Sequence, residues 1–382
     1  MATTPASSYT EKKMKSAELK SIPQELILEI FSWLPVKSLL RYKCVSKFYS
    51  SLVSESNFVD IHHRRSMIRP GGRKYLECIN NVFYTTELKE DGKSFLFRIE
   101  NFDQLHGYLS ASSLMGVNGL VCAWRDKHHV AICNSSTREV RFLRCPKEFI
   151  NKDYGYPICS IGFEPEEKKY KLWLTSDSYT RNWLFTIGID KSWRETNCNA
   201  RFSPSLYRVC VSGVIYVLGS VNGTSGIVAF DVRAEIFRIL NFPHALHYSG
   251  YHDYNLIELK GKLAVLNYKK YSSEDVHLWI LGKAQNDDWD RHIIRFPSQW
   301  KGIYRPESYF HFICASCDEE IVFISITKSR DWICICYDFT RKSWREFRAI
   351  EKLGERYWLS HILCYVENLS SLGKLCSTNL QD

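Results

Sequence analysis

The sequence feature that most constrains the fold is a polar turn that recurs about every 40 to 55 residues through the C-terminal part of the chain. In each copy a short apolar run ends in Asn or Asp, a polar turn follows, and the next run carries basic and aromatic residues. The copies begin at Asn134, Asp190, Asp231, Asn286 and Asp338. A period of this length, with about four strands in each unit, is typical of the blades of a β-propeller.

The residues between these turns alternate with a period of two, as strands with one buried face do. Short apolar runs lie at 119–122, 130–133, 160–163, 170–173, 183–186, 214–218, 227–230, 262–266, 276–280, 321–324 and 333–336. Several open on pairs such as Asn118-Gly119, which tolerate a hairpin backbone. Five units are clear and residues 74–100 complete a sixth. We therefore predict an all-β, propeller-like domain of about six blades, closed by strands from both of its ends.

Residues 21–61 have a different pattern, in which apolar residues follow helical spacing. Pro23 stands at the expected first position of a helix. Pro35 ends that helix and can open the next, which we predict over residues 36–43, with a third helix over 46–54. Two apolar rows, turned about 100° from each other, run along the first helix. They consist of Leu26, Ile30 and Leu34, and of Ile27, Phe31 and Leu34.

Three short helices in about 40 residues cannot bury this much apolar surface among themselves. The face left over is therefore expected to bind another protein. The alternative, which periodicity alone leaves open, is that the helices pack only on the rest of their own chain.

The helical segment resembles an F-box. The family pattern is matched by Pro23, Glu25, Ile27, Ile30, Leu34, Pro35, Val36, Lys37, Ser38, Leu39, Leu40, Arg41, Val45, Ser46 and Lys47. Ile22 and Tyr49 depart from it, replacing the usual Leu and Trp. The resemblance implies docking on a Skp-type adaptor, which in turn holds a cullin–RING ubiquitin ligase. The implied adaptor-binding residues are Pro23, Ile27, Ile30, Leu34, Pro35, Leu39 and Val45. Which of them face the adaptor, and which the F-box interior, stays open.

The β-domain also resembles a family, the plant F-box-associated, kelch-like domain. The matching strings are NGLVC at 118–122, CNSSTR at 133–138, GFEP at 162–165, SWRE at 192–195, GVIY at 213–216 and YVENL at 365–369. These marks are also similar to those of the pollen S-locus F-box proteins. They look structural, so substrate-binding residues stay unknown.

Together these patterns predict an α+β multidomain chain: a mobile tail at 1–17, a three-helix F-box at 18–62, a linker at 63–73 and the β-domain at 74–382. The expected function is that of the substrate-recognition subunit of a Skp–cullin–F-box ubiquitin ligase. In this role the β-domain recruits an unknown target protein. The expected location is the cytoplasm, the nucleus or both.

Two other functions remain open. In one, the helical resemblance is accidental and a kelch-like propeller binds or hydrolyses a small molecule or glycan. A polar cluster converging on the central channel would favour that function. In the other, the F-box is real but acts outside a ligase, and co-purification of the cullin would distinguish the two.

Motifs that would indicate an enzyme are incomplete. Ser94 ends a Gly-Lys-Ser string, but Glu87 occupies the position where a phosphate loop needs glycine. Gly219, Gly223 and Gly226 have no helix after them, so they do not indicate a dinucleotide site. The histidines that could ligate metal or act as bases are His62, His63, His128, His129, His244, His247 and His252. None has a Glu or Cys at supporting spacing, so we predict a non-catalytic subunit with no cofactor.

The 14 cysteines and the mild net charge also argue against a bound metal, a nucleic-acid partner and a membrane partner. Without a secretory signal the cysteines are expected to be reduced thiols. Cys314 and Cys317, followed by Cys334 and Cys336, could suggest zinc, but the last two lie in an alternating apolar run typical of a buried strand. The net charge of +9 is spread along the sequence, and no apolar stretch is long enough to span a membrane. We therefore expect neither nucleic acid nor membrane as a partner.

Overall fold

Four helices at the N-terminal end and six four-stranded sheets make up most of the described chain. The computed structural model describes residues 22–69, 71, 73–79, 82–88, 94–99, 102, 105, 114–124, 128–151, 157–176, 181–196, 202–243, 254–267, 275–282, 288–297, 311–315, 319–326, 332–347 and 359–375. The predicted tail at 1–17 lies outside these residues. We call residues 22–69 the helical module.

The helices of the module are α1 (Gln24–Ser32), α2 (Val36–Lys43), α3 (Lys47–Ser54) and α4 (Ser56–Ile68). The three predicted helices are present, but Pro23 is not the first helical residue. Pro23 and Pro35 are the N-cap residues of α1 and α2, with extended ψ angles of 143° and 147°. Ser46 caps α3, because its hydroxyl accepts a hydrogen bond from the Tyr49 amide at 3.2 Å.

Helix α4 was not predicted. Residues 63–68, expected to begin a linker, form its last turns. The buried residues of α4 are Phe58, His62 and Ser66, which follow one another at a spacing of four. Two of the three are polar, so this face gives no apolar periodicity. The division of the chain at residues 62 and 73 stays a prediction, but the segment between them is partly helical.

The core of the helical module includes one residue from the far end of the chain. Its buried members are Phe31, Val36, Leu39, Leu52, Val53, Phe58 and Leu369. The module therefore does pack on its own chain, as the alternative interpretation required, but only along this inner side.

The remaining chain forms six antiparallel sheets, each one blade of a propeller. Blade 1 contains β1 (Arg73–Ile79), β2 (Val82–Leu88), β3 (Ser94–Arg98) and β24 (Leu359–Val366). Blade 2 contains β4 (Leu114–Val117), β5 (Leu120–Trp124), β6 (His129–Asn134) and β7 (Glu139–Arg144). Blade 3 contains β8 (Pro157–Glu164), β9 (Lys169–Ser176), β10 (Asn182–Thr186) and β11 (Arg194–Thr196).

Blade 4 contains β12 (Phe202–Val211), β13 (Val214–Val221), β14 (Thr224–Asp231) and β15 (Phe237–Asn241). Blade 5 contains β16 (Tyr254–Leu259), β17 (Lys262–Asn267), β18 (Asp275–Leu281) and β19 (Trp289–Arg295). Blade 6 contains β20 (His311–Ala315), β21 (Glu320–Ile326), β22 (Trp332–Asp338) and β23 (Ser343–Phe347). Two short helices, α5 (Lys147–Asn151) and α6 (Leu372–Leu375), lie outside the sheets.

The ring is closed by strands from both ends of the β-domain, as predicted. Strand β24 pairs antiparallel with β1, and the order β24-β1-β2-β3 makes β24 the innermost strand of blade 1. The innermost strands β24, β4, β8, β12, β16 and β20 each contact the next around the ring. The predicted count of about six blades and the all-β architecture of this domain are confirmed.

Four of the five recurring polar turns connect the third and fourth strands of their blades, and Asn286 of the fifth lies outside the described residues. Asn134, Asp231 and Asp338 each accept hydrogen bonds from the amides two and three positions later, at 2.7 to 3.3 Å. The residue four positions later then has a positive φ, 60° at Arg138 and 58° at Glu235. These turns let the chain reverse into the outer strand, which explains why the sequence repeats Asn or Asp at this point.

A short segment after the ring-closing strand attaches the helical module to the propeller. We call residues 367–371 the C-terminal strap. Asn368 donates through Nδ2 to the Asn118 carbonyl at 2.7 Å and to the Tyr170 hydroxyl at 3.0 Å. A Cβ on Gly119, whose φ is 83°, would lie 2.5 Å from the Asn368 Cβ, so the strap can cross here only over glycine.

The module sits on one face of the ring. Lys168, in the turn between β8 and β9, forms an ion pair with Asp60 of α4. This face, which we call the module face, carries the turns from first to second and from third to fourth strand. Because strands alternate in direction, the connections between blades lie on the opposite, distal face.

Candidate functional site

The helical module exposes large apolar side chains on its outer side. Ile22, Leu26 and Ile30, on and just before α1, are 58%, 54% and 53% exposed. A second group on α2, α3 and the turn between them consists of Tyr42, Val45 and Phe48. We call these six residues the helical apolar surface. Single exposed apolar residues are ordinary on a protein surface, but a row of them on a small module is typical of an interaction site.

An aromatic cluster connects the two halves of this surface. The Phe31 ring of α1 lies 4.9 Å from the Tyr42 ring and 5.0 Å from the Tyr49 ring, centroid to centroid. The Phe48 ring lies 5.3 Å from Tyr49. Tyr49, which departs from the family pattern, therefore keeps the aromatic contact of that position and supports the exposed Phe48 and Tyr42 from below.

The seven predicted adaptor-binding residues divide between surface and interior. Pro23, Ile30, Pro35 and Val45 are exposed, and Ile27 and Leu34 are half-buried. Leu39 is fully buried in the module core, so in this structure it has no surface to offer a partner. Residues of the surface that were absent from the prediction are Ile22, Leu26, Tyr42 and Phe48. The row Leu26–Ile30 was visible as helical spacing, but nothing in the pattern marked it as the outer row.

The turn between α1 and α2 is held by side chains from outside both helices. His62 donates through Nε2 to the Leu34 carbonyl at 2.9 Å, and Arg69 donates to the Trp33 carbonyl at 2.9 Å. On the other side of the turn the Val36 amide donates to the Glu367 carboxylate at 3.1 Å. These bonds satisfy helix-end groups that would otherwise have no partner. His62, considered above as a metal ligand or base, is instead a buried structural residue.

We expect His62 to make the chain less stable as the pH falls below about 6.5. Burial lowers the pKa of His62 from 6.5 to about 4, and its Nδ1 is buried with no hydrogen-bond partner in the described chain. Because the folded-state pKa lies below the unfolded one, the stabilisation is complete above pH 6.5 and is lost as the pH falls towards 4. A shift of this size corresponds to about 3 kcal/mol.

Urea unfolding near pH 7.5 and pH 5, on wild type and His62→Gln, measures this effect. The glutamine amide can still donate to the Leu34 carbonyl but does not titrate in this range. We expect wild type to lose about 2 kcal/mol more than the variant between the two pH values. Equal losses would show that His62 does not titrate with a lowered pKa.

The longest connections join one blade to the next, and most of their residues lie outside the described ones. These connections include 106–113, 152–156, 244–253, 298–310 and 348–358. The histidines His244, His247 and His252, named above as candidate bases, lie outside the described residues. Long, variable connections on a rigid scaffold are where binding residues concentrate. Residues that bind a partner are therefore expected among these connections.

The described residues bring together no cluster that indicates an enzyme. Within them, no three His, Cys, Asp or Glu side chains converge in a way that could hold a metal ion. Ser94 begins a strand, and Gly219 and Gly226 pair across the β13–β14 hairpin. Cys336 is buried on β22, as the alternating run predicted, while Cys317 lies outside the described residues.

Several charged groups of the propeller form ion pairs between neighbouring blades. Glu235, in blade 4, accepts from Lys171 at 2.7 Å and binds Arg194, both of blade 3. Arg208 is buried on β12 with its guanidinium 4.2 Å from the centre of the Trp124 ring. The ion pairs of Glu235 join blades 3 and 4, and the contact of Arg208 with Trp124 joins blades 4 and 2. Among the helices of the described chain, none is long and apolar enough to cross a membrane.

Comparison with known proteins identifies both parts of the chain. The family profile described as the F-box associated beta propeller domain matches residues 78–366, and the F-box domain profile matches residues 19–60. The Arabidopsis thaliana F-box protein At5g65850 is 31% identical over 317 residues, which cover 76% of each chain. The Arabidopsis thaliana F-box protein At1g30790 is 31% identical over 326 residues, covering 76% of this chain and 79% of the relative.

Similarity to solved structures is weaker. A chain of the nidogen/laminin complex aligns with 78% of this chain and 99% of its own length, at 10% identity and a TM-score of 0.43. An exo-β-1,3-galactanase from Phanerochaete chrysosporium aligns with 61% of each chain at 10% identity and a TM-score of 0.37. At such scores these structures carry no argument about function. Similarity to the S-locus subfamily stays a prediction.

The two profiles agree with the observed parts: helices at the N-terminal end and a six-bladed ring after them. The propeller profile spans more than half of the chain, and the Arabidopsis relatives match this chain over about three-quarters of its length. The chain therefore belongs to the F-box proteins that carry an F-box-associated β-propeller domain.

Proposed function

We propose that this protein is the target-recognition subunit of a Skp–cullin–F-box ubiquitin ligase. The observation that carries the proposal is the helical apolar surface, a row of exposed large apolar side chains on a module that matches the F-box family. An exposed surface of this kind fits an apolar helical partner such as a Skp-type adaptor. The adaptor contact would comprise Ile22, Pro23, Leu26, Ile30, Pro35, Tyr42, Val45 and Phe48, with Ile27 and Leu34 at its inner edge and Leu39 supporting it from the core.

The propeller would bind the target protein on its distal face. The adaptor and the ligase would then lie on the module side and the target on the other, so that neither blocks the other. By holding target lysines near a ubiquitin-loaded enzyme, the complex raises their effective concentration. This chain contributes binding and orientation, while partners perform the transfer chemistry. Such a role places it in the cytoplasm, the nucleus or both.

Reconstitution tests the proposal directly. The full-length chain is co-expressed with a plant Skp-type adaptor and a cullin–RING pair, and the mixture is separated by size-exclusion chromatography. We expect one peak that contains all of the components. If the chain elutes alone at micromolar concentrations, the proposed function is wrong. If it elutes with the adaptor but excludes the cullin, it acts outside a ligase.

Affinity capture from plant extract addresses the target. Proteins that remain bound when the adaptor contact is removed by mutation are target candidates, because the distal face is unchanged in that variant. We expect at least one such protein, enriched over capture on beads without the chain, and a loss of adaptor and cullin from the same sample.

A further inference from the structure

The turn between α1 and α2 is completed by a residue from the far end of the chain. The Val36 amide, at the start of α2, donates to the Glu367 carboxylate across 331 sequence positions. Arg69 binds the same carboxylate and also donates to the Trp33 carbonyl. Glu367 and Arg69 thus hold both ends of the turn, and the carboxylate lies at the positive end of the α2 dipole.

Glu367 is well placed to determine the position of this turn. Its side chain is 3% exposed and lies between two cations, Arg69 and Lys74, the second at 2.8 Å. Without the carboxylate, the Arg69 guanidinium would stay buried with an uncompensated charge, and the start of α2 would lose its acceptor. Breaking a buried ion pair from one side strongly destabilises the structure around it.

The same turn joins the two halves of the helical apolar surface. Ile22, Leu26 and Ile30 belong to the α1 half, and Tyr42, Val45 and Phe48 to the half formed by α2 and α3. The relative position of the halves depends on residues 33–36 between them. A partner that contacts both halves at once would therefore bind best when the turn is held in one conformation.

Glu367 directly follows the strand that closes the propeller ring. Val366, the last residue of β24, pairs with Arg73, the first residue of β1. This pairing brings Glu367 next to Lys74 and to Arg69 at the end of α4. Glu367 can therefore reach the α1–α2 turn only when β24 has completed blade 1.

We propose that Glu367 is a positioning residue of the adaptor site, and that through it adaptor docking is conditional on closure of the propeller ring. This inference rests on the proposed function. A chain whose last strand has not closed the ring would present an F-box with a loose α1–α2 turn. Adaptor docking would then favour fully synthesised, fully folded chains over incomplete ones.

Titration calorimetry with a purified Skp-type adaptor tests the inference, using Glu367→Ala and the matched control Glu235→Ala in the full-length chain. Glu235 also lies between two cations, Lys171 and Arg194, but in the contact between blades 3 and 4. We expect Glu367→Ala to weaken adaptor binding at least about tenfold, within the range typical of coupled sites, and Glu235→Ala to leave it unchanged.

Hydrogen exchange supplies a readout that general instability would not produce. Coupling is reciprocal, so an adaptor that binds better to the closed ring must also stabilise closure. Adaptor binding to wild type is expected to slow the exchange of amides in β24, far from the contact itself. In the Glu367→Ala chain, saturating adaptor should protect α1 and α2 but leave β24 exchange unchanged.

The possible outcomes distinguish a failure of the proposed function from a failure of the inference about Glu367. If wild type does not bind the adaptor, the proposed function is wrong, and the inference that rests on it is wrong as well. If wild type binds and Glu367→Ala binds equally well, the inference alone is wrong. It is also overturned if both variants lose the same affinity, or if β24 exchange responds equally to adaptor in wild type and Glu367→Ala.

Discussion

A chain carrying Leu26→Asp is expected to lose at least about 30-fold in affinity for a Skp-type adaptor, because central apolar contacts of an interface are worth about 2 kcal/mol or more. Leu26 is 54% exposed and lies in the first turn of α1. An acidic residue is favourable at a helix N-terminus, so the folded chain should not lose stability. We expect the free energy of unfolding to stay within about 0.5 kcal/mol of wild type.

The matched control is Ile189→Asp. Ile189 is 57% exposed, in the turn between β10 and β11 of the propeller, so this variant places the same charge on an equally exposed isoleucine. Surface plasmon resonance with immobilised adaptor should give wild-type affinity for the control. Retained affinity in Leu26→Asp, or equal losses in both variants, would show that the outer row of α1 is not the adaptor contact.

Leu26 and Leu39 show why the site could be only partly predicted. Both belong to apolar helical rows, and the F-box resemblance placed Leu39 among the adaptor-binding residues. In the structure Leu39 is fully buried and Leu26 points outward. A small module whose helices are apolar on two sides carries no sequence signal that separates core from interface, because the same residue types serve both. Only packing decides between them.

The propeller could be predicted more fully because its signals are local. In three copies of the turn the Asn or Asp side chain accepts from the amides two and three positions later, at Asn134, Asp231 and Asp338. Such a requirement involves neighbours in sequence only and is therefore legible in one sequence. The connections between blades have no comparable constraint, since they need only join strands, so residues that bind a target there could not be predicted.

Two contacts could not be predicted from the sequence because they are not local. The buried face of α4 uses His62 and Ser66, polar residues that look solvent-exposed in a pattern search. Glu367 holds a turn 331 positions away, and the YVENL string at 365–369 that contains it does not indicate this contact. In both cases the role of the residue depends on a distant hydrogen-bond partner, which no local pattern can specify.

A chain carrying Trp173→Ala is expected to lose about 5 kcal/mol of stability, the largest loss we predict for a single propeller residue. Trp173 of β9 is fully buried against blade 4, with its ring centre 5.5 Å from that of Phe230 and 5.2 Å from that of Phe237. Its indole donates to the Asn182 side chain at 2.8 Å. The substitution therefore opens a cavity between blades and leaves a buried amide oxygen unpaired.

Differential scanning calorimetry measures this loss, which should lower the unfolding midpoint by about 10 °C in a domain of this size. Phe48→Ala is the complementary control, because Phe48 is 44% exposed on the helical apolar surface. That variant should unfold at the wild-type temperature but bind the adaptor more weakly. Trp173→Ala, assayed well below its own midpoint, should bind the adaptor normally.

If Trp173→Ala unfolds at the wild-type temperature, the contact between blades 3 and 4 does not contribute to stability as argued. If its folded form binds the adaptor weakly, the packing between blades 3 and 4 affects adaptor binding from a distance, since the residues proposed to contact the adaptor all lie on the helical module.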